Sequence, residues 1–119
     1  MPTQDELLVT AVYSRTSGVR GRSLNSARKH HFVIDGSGDP AEEITPGEAF
    51  LSGISACGVL MVERVAAERG VPLRVAEAWI DGMRRPSDTS RYERIDLRFR
   101  LDGPTREQAD ALVEHYRGH

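Results

Sequence analysis

Thr45-Pro46-Gly47-Glu48-Ala49-Phe50-Leu51-Ser52-Gly53-Ile54-Ser55-Ala56-Cys57-Gly58 begins with an explicit helix start. Threonine is a favoured N-cap, proline fits N1 because the amide hydrogen it lacks would be unpaired there anyway, and Glu48 at N3 can bond back to the cap's amide as a capping box. The helix is predicted to run to about Arg69, since Gly70 can take the left-handed conformation past its end and Pro72 cannot continue it. Phe50, Ile54, Cys57 and Met61 form one stripe at helical spacing, and Leu51, Gly58, Val62 and Val65 form another. The first half is therefore apolar nearly all round and is expected to be buried, covered on several sides. The second half, with Glu63, Arg64, Glu68 and Arg69, emerges toward water.

Strand signals flank this helix. The run Leu7 to Tyr13 is rich in strand formers, and Ser17-Gly18 marks a turn before Val19-Arg20-Gly21-Arg22, so a first hairpin is expected there. His30 to Ile34 reads as another strand, ended by Asp35-Gly36-Ser37-Gly38-Asp39-Pro40, which has the composition of a flexible surface loop. After the helix, Leu73 to Ile80 reads as a strand and Arg84 to Asp88 as a turn. Ile95, Leu97, Phe99 and Leu101 then alternate with charged residues, the pattern of a strand with one wet face. Asp102-Gly103-Pro104 breaks it, and Thr105-Arg106-Glu107-Gln108 is a second capping box, opening a helix with Ala109, Leu112, Val113 and Tyr116 as its apolar positions. The fold class is α+β.

At 119 residues the chain is expected to form a single domain over 1–119. Sixteen basic against eighteen acidic side chains leave a formal charge of −2, which supplies no general pull toward nucleic acid or an anionic membrane. The uncharged run Ala49 to Val62, about 14 residues, falls short of the roughly 18 expected of a membrane span. The N-terminus has no apolar stretch behind basic residues, so no secretory or transit peptide is read and a cytoplasmic location is expected. His30 and His31 point to opposite faces of a strand and cannot share a metal without distortion. His115 and His119 have zinc-compatible spacing, with a frayed terminus as the default reading. The arginines at 84, 85, 91, 94, 98 and 100 are interspersed with acids, which favours a solvated, ion-paired sheet face over an RNA or DNA surface. Neither a phosphate loop nor a dinucleotide fingerprint is present, and neither a metal nor a cofactor is implied.

Cys57 is the one cysteine, which excludes an internal disulfide and a cysteine-rich zinc site. It is either an inert core thiol or a reactive one. A thiol near the reference pKa of about 8.5 is a poor nucleophile at neutral pH unless a cation or a helix N-terminus stabilises the thiolate. Cys57 lies some three turns into its helix, beyond the terminal dipole. A reactive Cys57 therefore needs an arginine from elsewhere. The candidates are Arg20 and Arg22, with Arg28 behind them; the alternative for each is a solvated basic turn. Glu48 could orient such an arginine, or serve only its cap. Nine residues on, Cys57 is about 13.5 Å away along a helix and roughly half a turn out of phase, so the two cannot share a small site within one helix.

The proline-to-cysteine stretch resembles the cysteine helix of the OsmC/Ohr proteins. Gly70-Val71-Pro72-Leu73 leading into a hairpin and the closing Gln108-to-Val113 helix follow that family's order. The resemblance implies an intertwined α+β homodimer whose cysteine helices are buried centrally, with two sites at the subunit interface. It also implies a peroxidase acting on organic or hydrogen peroxides through a sulfenic acid on Cys57, with Arg20 the best match to the family arginine. Phe50, Ile54 and Met61 become candidate lining for the alkyl part of a hydroperoxide. Two departures accompany this. The family's glutamate follows the proline directly, where this chain has Gly47 and then Glu48. Its resolving cysteine follows the last helix, where this sequence reads Tyr116-Arg117-Gly118-His119, short of the family's final strand. An external thiol reductant is thus the implied partner. The alternative is a non-catalytic protein of the same fold that binds a small apolar ligand beside an inert Cys57.

Overall fold

The computed structural model describes residues 6–118, in the order β1 (Tyr13–Thr16), β2 (Arg22–Ala27), β3 (His30–Asp35), α1 (Pro46–Arg69), β4 (Val75–Met83), β5 (Arg94–Asp102) and α2 (Arg106–Arg117). The chain divides between Ala49 and Phe50 into two compact units, each with its own antiparallel sheet.

In the first unit β2 lies between β1 and β3. Arg22 pairs with Asp35 at one end of the β2–β3 ladder and Ala27 with His30 at the other. The turn between β1 and β2 is closed by Arg22 N–H donating to Val19 C=O at 3.1 Å, with Gly18 and Gly21 both at positive φ. The expected strand over Leu7 to Tyr13 is displaced: only Tyr13 belongs to β1. The reason lies in the partner. Tyr13 already faces Ser26, one residue from the end of β2, and Arg28 turns the chain away with φ 56°, so residues before Tyr13 have no ladder to join. Leu7, Leu8 and Val9 are accordingly more than four-fifths exposed (88%, 86% and 83%).

The loop after β3 also departs from expectation at its first residue. Asp35 is wholly buried. Arg22 holds it bidentately, Nε to Oδ1 at 2.8 Å and Nη2 to Oδ2 at 2.9 Å, and the amides of Glu42 and Glu43 donate to Oδ2 at 2.9 and 3.0 Å. This carboxylate ties the loop back onto the sheet with charge-assisted bonds.

α1 has the expected bounds. Glu48 N–H donates to the Thr45 hydroxyl and Thr45 N–H to the Glu48 carboxylate, completing the capping box. At its far end Gly70 takes φ 68°, Val71 N–H reaches Ala66 C=O at 2.9 Å and Gly70 N–H reaches Ala67 C=O at 3.3 Å, the paired bonds of a Schellman motif.

In the second unit α1 buries Gly58, Val62, Val65 and Ala66, a stripe that meets Leu112 of α2. Met61, Val71, Leu73, Ala76, Phe99 and Leu101 complete this core. β4 and β5 pair from Val75–Asp102 to Met83–Arg94, so Ala76, Ala78 and Ile80 share a face with Leu101, Phe99 and Leu97. The opposite face carries the expected ion pairs, Arg100–Glu77 at 3.1 Å, Arg98–Asp81 at 3.8 Å and Arg94–Asp96 at 3.1 Å. Thr105 and Gln108 cap α2 reciprocally. Thr105→Ala should cost about 1 kcal/mol, read from the urea midpoint, while Thr105→Ser should cost a few tenths at most.

Candidate functional site

Cys57 is exposed, contrary to the burial expected of it. The expectation followed from a helix apolar nearly all round, but a single α1 is covered only along its Gly58–Val62–Val65 side. Cys57 looks outward, as do Leu60, 61% exposed, and Phe50, 54% exposed, while Ile54 and Met61 are half-buried. By length and composition alone α1 could cross a membrane, a test that the core helix of a soluble protein also passes.

Cys57 lies in a shallow depression of about 500 Å³ lined by Gly53, Ala56, Leu60, Met61 and Arg64. Most of this lining is apolar; Arg64 is its charged residue, with a guanidinium 3.9 Å from Glu68. The inner side of the same turn is fixed by α2. Tyr116 donates its hydroxyl to the Ile54 carbonyl at 3.0 Å, and its ring meets Phe99 edge-on with centroids 5.8 Å apart. Gly58 makes this approach possible: a Cβ there would come within 2.8 Å of Phe99 Cζ and 3.2 Å of Tyr116 Cε2. Burial pushes the Tyr116 phenol above its ordinary value, and the neighbouring charge of Cys57 pushes it further the same way.

The other sequence candidates are distributed as follows. Met61 shares the depression with Cys57, whereas Phe50 stacks on Tyr92 at 5.8 Å and Ile54 contributes its carbonyl to Tyr116. Arg20, Arg22 and Glu48 belong to the first unit and Cys57 to the second. Arg20 sits exposed beside Gly21 in the β1–β2 turn. Arg22 is engaged by Asp35 and by Glu42, the latter at 2.8 Å, and its guanidinium is held charged far above any physiological pH by those two partners. Glu48 performs its capping duty. His31 meets the Ser26 hydroxyl at 2.8 Å, and among the described residues three or more potential ligands nowhere gather for a metal. His119 lies outside the described residues. Sequence reasoning missed Arg64 and the bond from Tyr116; Arg64 was readable, since seven residues on from Cys57 is the same helix face.

A larger cleft, about 740 Å³, lies between β5 and α2 away from Cys57. Its rim charges are self-paired, Arg106 with Asp110 at 3.1 Å and Arg117 with Glu114 at 3.4 Å.

The chain is an α+β protein of β-β-β-α-β-β-α order with its cysteine presented by the long helix. The particular family follows from comparison: the model described as OsmC-like protein matches residues 36–119, and the chain belongs to that family. An OsmC-like protein from Mycoplasma pneumoniae superposes with a TM-score of 0.83 at 14% identity, over 98% of this chain and 84% of that one. The organic hydroperoxide resistance protein OhrB of Bacillus subtilis gives 0.65 at 22% identity, over 95% and 86%. An organic hydroperoxide resistance protein OsmC from Legionella pneumophila gives 0.69 at 16% identity, over 96% and 85%. These likenesses establish the fold. No curated protein matches the chain.

Proposed function

We propose that this protein is a thiol-dependent peroxidase that reduces organic or hydrogen peroxides at Cys57 in the cytoplasm. The observation that carries the reading is a lone cysteine exposed in an apolar depression on a helix that lies within the family match. The thiolate attacks the peroxide: an S–O bond forms, the O–O bond breaks, sulfur loses two electrons, and the departing alkoxide takes a proton from water. An external thiol then displaces water from the sulfenic acid to give a mixed disulfide, and a second thiol releases Cys57. Arg20, exposed in the β1–β2 turn, is the first choice of activating cation and Arg22 the second, since a guanidinium bound by Asp35 and Glu42 stays charged and can still face a thiolate. A second copy of the chain covers the outward stripe of α1, since exposed Phe50 and Leu60 are what a homodimer would bury.

The test is the intact mass after substoichiometric cumene hydroperoxide and then dimedone, beside a Cys57→Ser control. One adduct per reacted chain, lost in Cys57→Ser and slowed in Arg20→Ala, is the expected result. Absence of an adduct under conditions that label a known reactive thiol would overturn the peroxidase and leave a small-ligand-binding protein with an inert cysteine. A monomeric mass at micromolar concentration would sink the interface.

A further inference from the structure

We propose that Tyr116 is a positioning residue for Cys57, acting by occupying the Ile54 carbonyl that the Cys57 thiol would otherwise take. The inference rests on the reading of Cys57 as the reacting group. A short side chain with an X–H donor in a helix can bond back to the carbonyl three or four residues earlier, as serine and threonine do, and a thiol is a weaker donor of the same kind. Ile54 is three residues before Cys57. Its carbonyl accepts the Tyr116 hydroxyl at 3.0 Å, from a ring held in place by Phe99 and admitted by the bare Cα of Gly58. A phenolic O–H is the better donor, so it keeps the carbonyl and leaves the sulfur turned to the depression. Among the described residues of this unit, Tyr116 from α2 and Arg64 on α1 itself are ionisable groups in these surroundings. Tyr116 feels the charge of Cys57, so the proximity of the two groups can be read from the tyrosine.

Two measurements on the full chain decide the matter. In the first, the phenol is titrated by carbon NMR of labelled tyrosine in wild type and Cys57→Ser; the Tyr116 resonance is expected to titrate at lower pH in the variant, where the thiolate no longer opposes the phenolate. That shift reads the proximity of the two groups; the positioning role is read from the second measurement. In the second, Cys57 is alkylated with iodoacetamide in wild type, Tyr116→Phe and Tyr116→Leu. Phenylalanine keeps the ring against Phe99, so the melting temperature should hold while alkylation slows about three- to tenfold. The leucine variant should lose both rate and stability. An unmoved Tyr116 titration, or a Tyr116→Phe rate equal to wild type, would overturn the proposal. Alkylation needs no peroxide, so an unreactive sulfenylation assay would remove the peroxidase reading without touching this outcome.

Discussion

Asp35→Ala is expected to lower the melting temperature by on the order of 10 °C, the loss typical of breaking a buried ion pair from one side. Asp35 is wholly buried and accepts four bonds, two from Arg22 and one each from the amides of Glu42 and Glu43. Removing it strands Arg22 Nε and the amides of Glu42 and Glu43 at once and leaves the guanidinium with Glu42 alone. Arg22→Met should be at least as damaging, because it leaves a buried carboxylate with no cation, whereas Arg22→Met/Asp35→Leu should recover part of the loss. The pH dependence has a definite sign. The bidentate Arg22 bond, aided by the amides of Glu43 and Glu42, outweighs burial and holds the Asp35 carboxyl well below the usual carboxylate range. Its contribution is therefore full above the ordinary pKa of about 4 and is lost as pH falls through the lowered folded value. Thermal melts from pH 7 to pH 2 should show a steep acid limb in wild type and a flatter one in Asp35→Asn. Parallel limbs would assign acid unfolding to other groups.

The same residue shows where sequence reading stops. Asp35 heads the run Asp-Gly-Ser-Gly-Asp-Pro, and every local signal in that run says loop. Its burial depends on Arg22, thirteen residues earlier, and on a strand register that places the two opposite each other. Helix ends are different. Thr45, Pro46 and Glu48 at one end and Gly70 at the other act within a turn or two of themselves, so α1 was legible to the residue. The alternation of β5 survived for a related reason, since one face meets the core and the other carries ion pairs. The segment Leu7 to Val12 carries strand formers but no ladder, because pairing is a property of the partner. At the candidate site, the exposure of Cys57 and the bond from Tyr116 to Ile54, 62 residues apart, were equally beyond local pattern. Tyr116 could be read as an apolar position of a helix; what it touches is decided by how α2 crosses α1.

Gly103→Ala should cost about 3–5 kcal/mol, a large share of a typical domain's stability, by adding backbone strain to overpacking. Gly103 has φ 115°, outside even the left-handed well near φ 60° that other residues occasionally visit. A Cβ there would strike the Pro72 carbonyl oxygen and come within 3.1 Å of the Arg74 amide. Neither neighbour can give way cheaply. The Arg74 amide is bound to the Asp102 carbonyl at 2.8 Å, and its guanidinium meets the Asp102 carboxylate at 2.8 Å, so the Pro72–Arg74 segment is fastened to the end of β5 at the point of collision. Moving it would in turn disturb Val71 and Leu73, both packed on the core that holds Val62 and Leu112. The damage should therefore pass from a surface turn into the packing of α1 against α2. Urea unfolding is the measurement, with Gly70→Ala as the comparison: its φ of 68° lies near the left-handed well and nothing stands within 4 Å of its Cβ, so it should cost only about 1 kcal/mol. Equal losses at the two glycines would mean that conformational strain alone sets the cost and that the close crossing at Pro72 contributes nothing.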